Sequence, residues 1–336
     1  MKEKISGKGR QKFLIIQTAF IGDVILATPV IEKLNRFYPA AQIDILVRKG
    51  NQGILKHNPH LNQVIVFDKK EGKYKNMLRL IKQFRAEQYD AVINIQRYFT
   101  TGLITAFSKA KQSIGFDKNP LSFAFSHQIS HQMEACGDSH HEVKRNLSLI
   151  AHLTDASDEM PKMYPSVEEF DKVKQNKPYY CMAPTSVWFT KQYPADKWVE
   201  LMNRLPHDAR ICVLGGPGDR AECQRIIDLS NHSDIANMAG ELSFTESAAL
   251  MKHATMNFVN DSAPLHICSA VNAPVRALFC STVPAYGYTP LSDDSKVLET
   301  EEELDCRPCG LHGKRECPKG HFKCGHIPVE TILSSF

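Results

Sequence analysis

The chain has 336 residues, 43% hydrophobic and 23% charged, with 18 Gly and 18 Pro, a make-up that fits a globular protein and excludes disordered or collagen-like ones. No apolar run reaches the ~18 residues that cross a bilayer, and the best one, Phe20 to Ile31, is broken by Gly22, Asp23 and Pro29. Net charge is +4 but uneven: Lys and Arg outnumber Asp and Glu 24 to 15 in residues 1–165 (+9) and fall short, 17 to 22, in 166–336 (−5). The basic half suggests an anionic partner, with a merely solvated surface as the alternative.

The N-terminus is basic but leads straight into a strand-like run with no signal-peptide core, so a cytoplasmic protein is expected. Phe13 to Ile16 reads as a buried strand, followed by a loop at Thr18 to Gly22 and a helix running to about Phe37. Ile43 to Val47, Val64 to Phe67 and Ala91 to Ile95 read as further strands. Helical spacing of Met77, Leu78, Leu80, Ile81 and Phe84 predicts a helix over Tyr74 to Phe84. The rhythm restarts with strands at Tyr179–Met182, Ile211–Leu214, Met256–Val259 and Val275–Phe279. Helices at Trp198–Arg204, Ala221–Leu229, Thr245–Lys252 and Pro264–Val271 separate them. Alternating strands and helices imply βαβ units on parallel sheets. The Pro- and charge-rich stretch Asp155 to Pro178 marks a boundary, giving two Rossmann-like α/β domains, 1–165 and 166–336.

In open α/β sheets ligands bind beyond the carboxyl ends of strands, which selects four loops. After the first strand, Gly22 permits a tight turn and Asp23 reads either as a helix cap or as a general base. After the strand at Tyr179, Thr185, Ser186 and Lys191 suit a phosphate, although a lone loop Lys is more often only solvated. Gly215 and Gly216 form a strand-to-helix turn that lacks the G-x-G-x-x-G order. Asn260-Asp261-Ser262-Ala263-Pro264 opens a helix whose free N–H groups could take a phosphate, with His266 in its first turn as either a site residue or a buried structural one. The sequence holds no P-loop, H-E-x-x-H, G-x-S-x-G or D-x-D.

Six cysteines, Cys136, Cys181, Cys212, Cys223, Cys268 and Cys280, lie singly in apolar contexts and read as reduced thiols. Four others, Cys306, Cys309, Cys317 and Cys324, crowd into the tail with C-x2-C as the opening half. They are a candidate structural zinc site, with packed thiols or disulfides as rivals.

Taken in order, Gly22-Asp23-Val24 with Ala27-Thr28-Pro29, Lys191 with Tyr193-Pro194 and Trp198, Gly215-Gly216-Pro217 with Asp219-Arg220, and Asn260-Asp261-Ser262 with Pro264-Leu265-His266 resemble glycosyltransferase family 9, the heptosyltransferases of lipopolysaccharide synthesis. The resemblance runs from about Phe13 to the tail. It implies a GT-B fold, two Rossmann-like domains facing across a cleft, with the acceptor on the first and the nucleotide sugar on the second. It implies an inverting, metal-independent transfer of heptose from an ADP-activated donor to a Kdo or heptose residue on a lipid A precursor. Asp23 matches the family's base and Lys191 its basic residue near the diphosphate. Asp261, Ser262 and the helix beginning near Pro264 match the donor-phosphate loop, and Glu222 lies near where the family places a carboxylate for the ribose hydroxyls. The sequence departs from the family where Ala263 replaces a Gly, and where Cys280-Ser281-Thr282 replaces Gly-Pro-Thr. The clustered Lys2, Lys4, Lys8, Arg10 and Lys12 suggest peripheral contact with the anionic inner-membrane surface.

Two other readings compete. One is a nucleotide-sugar epimerase or hydrolase on the same scaffold. The other is a basic, zinc-containing nucleic-acid-binding module, against which the acidic second half and the lack of an aromatic-basic stripe both count; no nucleic-acid partner is expected.

Overall fold

The computed structural model describes residues 10–132 and 141–336. Lys2, Lys4, Lys8 and Cys136 lie outside the described residues. The chain divides into two compact units, Met1–Tyr164 and Pro165–Phe336, one residue before the boundary expected from the Pro-rich stretch.

The N-terminal unit runs β1 (Lys12–Ile16), α1 (Ile21–Ile25), α2 (Thr28–Phe37), β2 (Gln42–Arg48), β3 (Gln63–Phe67), α3 (Lys73–Glu87), β4 (Ala91–Asn94), α4 (Phe99–Phe107), β5 (Gln112–Phe116), β6 (His127–Ile129) and α5 (Glu142–Ser148). Its six strands are ordered β3-β2-β1-β4-β5-β6, and every pairing is parallel. Helices cover both faces of such a sheet. The central strands therefore carry continuous apolar runs rather than alternation, as in Phe13-Leu14-Ile15-Ile16, all fully buried. Met77, Leu80 and Phe84 seal one face of the sheet against Leu14, Ile16 and Val92. The single helix expected up to Phe37 is two. Pro29 sits in the first turn of α2, where its missing N–H is no loss, and the Thr28 hydroxyl donates to Ile25 O at 2.7 Å across the break.

The C-terminal unit repeats the plan: α6 (Val167–Val173), β7 (Tyr179–Ala183), α7 (Ala195–Arg204), β8 (Arg210–Val213), α8 (Arg220–Asp228), β9 (Ile235–Asn237), α9 (Phe244–Lys252), β10 (Met256–Asn260), α10 (Ala263–Val271), β11 (Val275–Phe279), β12 (Ser295–Glu299) and α11 (Val329–Leu333). Strand order is β12-β11-β10-β7-β8-β9, again all parallel. Trp198 on α7 is fully buried and anchors a core that takes in Ile327, Val329 and Ile332 from the far end of the chain. The tail is therefore part of this unit's core. The Tyr193 hydroxyl donates to Ile327 O at 2.6 Å, and Arg276 on β11 reaches Ser335 O.

Each sheet reverses its strand order once, between β1 and β4 in the first unit and between β7 and β10 in the second. At such a point the loops leaving the carboxyl ends diverge and open a crevice. Asp23 follows β1; Lys191 follows β7 and Asp261 follows β10. Among the described residues no helix is long and apolar enough to cross a membrane.

Candidate active site

In the N-terminal unit Asp23 occupies the third position of α1, not its cap. Its Oδ2 accepts the Phe20 N–H at 3.1 Å, closing the first turn of α1, in which Gly22 is an ordinary helical residue. The bond gives Asp23 a capping role from inside the helix, and its loop leaves the sheet at the switch point. Burial raises the Asp23 pKa. The Phe20 N–H and the guanidiniums of Arg97 and Arg48 pull the other way. A raised carboxylate is the stronger base once ionised.

Two cations act on it from the ends of neighbouring strands, Arg97 after β4 and Arg48 at the end of β2, and Arg48 in turn lies near Lys69, which follows β3. Lys69 donates to Thr18 O at 2.9 Å and is pushed below the usual lysine range by burial, with Arg48 and Lys73 adding to it. The Arg48 guanidinium lies 4.9 Å from the Phe20 ring centroid. Near Asp23, buried Glu142 pairs with Arg145 at 2.7 Å. Burial raises this carboxyl, and the nearby Asp23 charge raises it further. His131 is held neutral, down to about 4, by burial and by Arg97 and Arg145. Sequence reading missed these residues because it summed charge over half the chain. Position at the ends of strands was the signal. The two described members of the N-terminal basic cluster are engaged elsewhere: Arg10 donates to Ala40 O and Lys12 pairs with Glu87.

In the C-terminal unit the structure joins two residues that lie far apart in the chain. Lys191 Nζ stands 2.7 Å from Asp261 Oδ2, with side chains only 14% and 7% exposed. Thr282 Oγ1 donates to the same oxygen at 2.6 Å. Lys191 is therefore no solvated loop lysine but half of a nearly buried ion pair. Ser262 caps α10 in extended conformation without filling the cap through its side chain; Pro264 brings no N–H to the first turn, and the Leu265 N–H donates to Ser262 O at 3.1 Å. Asn260 braces this turn, accepting the Tyr193 N–H at 2.9 Å and donating to Pro184 O at 2.8 Å. Thr185 is buried beside it, and Ser186 O accepts from Gln192. His266 is buried, edge-on to Tyr288.

The Gly-rich turn is built for tightness. A side chain on Gly215 would meet Asp219 Cβ at 2.9 Å, and the Gly216 N–H donates to Asp219 Oδ2 at 2.7 Å. Glu222 lies on the exposed face of α8, its carboxylate held by Arg225 at 2.6 Å. That pairing must open before Glu222 can meet a ribose.

Cys181, Cys212, Cys223, Cys268 and Cys280 are free and buried. Cys306, Cys309, Cys317 and Cys324 line one cavity of about 410 Å³ together with His321, Thr190 and Lys314. Cys306 Sγ is 3.8 Å from His321 Nε2. The donor set is right for zinc. As the side chains stand, however, no three His, Cys, Asp or Glu groups among the described residues converge on one ion.

The model of glycosyltransferase family 9 (heptosyltransferase) matches residues 77–319. Lipopolysaccharide heptosyltransferase 3 of Escherichia coli K12 is 32% identical over 283 residues, covering 78% of this chain and 80% of the relative. The crystal structure of a family 9 glycosyl transferase from Veillonella parvula superposes with a TM-score of 0.81 at 20% identity, covering 97% of this chain and 96% of that one. The structure of E. coli ADP-heptose lps heptosyltransferase II gives 0.77 at 18% identity, with 97% of both chains covered. These two likenesses show the fold, GT-B.

Proposed function

The chain belongs to glycosyltransferase family 9 and is a glycosyltransferase, and we propose that it moves a heptose from an ADP-activated donor to the Kdo or heptose inner core of a lipid A precursor, with inversion. The observation that carries this reading is the Lys191–Asp261 pair at the switch point of the C-terminal sheet, beside the open N-terminus of α10. That arrangement suits a diphosphate: one ammonium of fixed position beside the positive end of a helix.

In this reading the acceptor hydroxyl gives its proton to Asp23 as its oxygen bonds to the anomeric carbon. The bond from that carbon to the diphosphate breaks, and the charge arriving on ADP is met by Lys191 and the positive end of α10. Asp261 and Thr282 hold Lys191 in place, so little reorganisation accompanies the charge transfer. No divalent ion is assigned a role, because these groups occupy it. In the N-terminal unit Arg48 and Arg97 bring positive charge to Asp23, with Lys69 beside Arg48, which suits an acceptor bearing phosphates and Kdo carboxylates. Such an acceptor places the enzyme in the cytoplasm, in peripheral contact with the inner membrane. Thr185, Ser186, Gly215, Gly216, Ser262 and His266 are the proposed remaining donor contacts.

The test is incubation with ADP-heptose and a Kdo-bearing lipid A acceptor, followed by mass spectrometry of the lipid. Gain of one heptose with release of ADP supports the proposal. Conversion or hydrolysis of the donor with an unaltered lipid replaces it with the epimerase or hydrolase reading.

A further inference from the structure

The tail segment 307–314 touches the donor pair at both ends. Thr190, the residue before Lys191, is fully buried. Its hydroxyl accepts the Lys314 N–H at 2.8 Å and the Ser281 hydroxyl at 2.9 Å, and donates to Lys314 O at 3.3 Å. Its N–H donates to Lys314 O at 3.1 Å and its carbonyl accepts the Ser281 N–H at 3.2 Å. A threonine hydroxyl offers one donor and two acceptor positions, so Thr190 is used completely in tying three stretches of chain together.

Gly313 lies against the same place. Its φ is +77°, and a Cβ there would stand 2.9 Å from Lys191 Cγ and 3.0 Å from Thr190 Oγ1. The glycine backbone is thus one wall of the slot holding the Lys191 stem, and no side chain fits. At the other end, Arg307 donates to Phe279 O, Cys280 O and Thr282 O at 2.7–3.1 Å, while the Cys309 N–H donates to Ser281 O at 2.9 Å. Thr282 is the residue that holds Asp261.

We propose that segment 307–314 is a clamp that sets the position of the Lys191–Asp261 pair, with Thr190 and Gly313 as positioning residues for the donor diphosphate. This rests on the donor reading of Lys191 given above. It also gives the cysteine-rich tail a task, because the cavity lined by the four thiols is bounded by Thr190 and Lys314. The tail's folding is thereby coupled to donor binding.

The experiment measures ADP affinity by calorimetry, and KM for donor and acceptor separately, in the full chain and in Thr190→Val, Thr190→Ser and Gly313→Ala. Thr190→Val keeps the shape but leaves the Lys314 N–H and the Ser281 hydroxyl without their acceptor. Gly313→Ala displaces the Lys191 stem directly. A displacement of even 1 Å costs up to about 10²-fold in such sites. The expected result is a rise of about tenfold or more in ADP Kd and donor KM for both, an acceptor KM that does not move, and recovery in Thr190→Ser. Circular dichroism and the acceptor KM report whether each variant is folded, and Thr190→Ser stands as the folded reference if Gly313→Ala does not fold. Unchanged ADP Kd in folded Thr190→Val, or equal rises in donor and acceptor KM, overturns the clamp alone. Failure of the unaltered chain to bind ADP overturns the donor reading and the clamp with it.

Discussion

Replacing Lys191 by Met tests whether the ion pair is structural, functional or both. The two side chains are 14% and 7% exposed and 2.7 Å apart, so neither charge is solvated enough for the pair to count as a surface bridge. Removing the ammonium alone strands the Asp261 carboxylate with only the Thr282 hydroxyl as a recorded partner. The cost for such a stranded charge is about 3–5 kcal/mol. The double variant Lys191→Met/Asp261→Asn removes both charges and keeps an acceptor for Thr282, and should return to within about 1–2 kcal/mol of the unaltered protein. Donor affinity should behave differently. Both variants lack the charge-assisted contact to phosphate, worth about 1.5–3 kcal/mol, so ADP binding weakens by about 10- to 150-fold in each. The assay is available in the chain itself. Both tryptophans, Trp188 and Trp198, lie in the C-terminal unit, so urea unfolding followed by their fluorescence reads that unit alone. A Lys191→Met variant within about 1 kcal/mol of the unaltered protein, with no recovery in the double variant, would show that the pair behaves as an exposed bridge and refute the reasoning.

Asp23→Asn should lower turnover by about 10²-fold or more, because an amide takes no proton, and should raise stability at neutral pH. Burial raises the Asp23 pKa in the folded chain, so the carboxylic acid form is the one folding favours. Its stabilising contribution is present below the unfolded pKa and is lost as pH rises through the folded value. For the same reason the unaltered enzyme should lose activity on the acid side at a higher pH than an ordinary aspartate would give. A turnover near that of the unaltered enzyme in Asp23→Asn leaves the residue a cap. Arg97→Ala should raise acceptor KM and leave ADP Kd unchanged, checked by steady-state kinetics and calorimetry; an unchanged acceptor KM removes Arg97 from the acceptor site. Metal analysis of protein purified without added zinc should find about one equivalent, lost in Cys306→Ser, since four thiols line one cavity and thiolates are zinc's preferred donors. No metal and four freely titrating tail thiols reduce the cavity to a packed wall.

The central strands were legible because burial on both faces leaves its mark in sequence: Val275–Phe279 is apolar but for Arg276 and ends where expected. The outer strands β6 and β9 were not. They are three residues each, His127–Ile129 and Ile235–Asn237, partly exposed and too short to show a period. Helix α4 was missed for the opposite reason. Phe99–Phe107 is apolar around most of its circumference and has no side-chain cap, so neither an amphipathic stripe nor a start signal announces it. Proline is informative only with its position known: Pro29 was read inside one helix, and in the fold it begins a second.

Site residues divide along a different line. Those at the start of a βα loop, such as Asp23, or at a helix entrance, such as Asp261 and Ser262, could be found because the end of a strand is visible in sequence and the ligand rule then points there. What sequence could not supply was pairing. Lys191 looked like a loop lysine, and only the neighbouring positions of β7 and β10 in the sheet bring it to Asp261. In the first sheet the adjacency of β1 to β4 likewise brings Arg97 to Asp23, while Arg48 arrives from the consecutive neighbour β2; the charge excess of that half of the chain gave no hint where its cations would meet. The tail carries the argument further. Its cysteines drew attention as a motif, yet what ties it to the donor pair is Gly313, the backbone of Lys314 and the Arg307 guanidinium, none of them part of that motif. A positioning contact made by backbone leaves in the sequence only the glycine that lets the backbone come close.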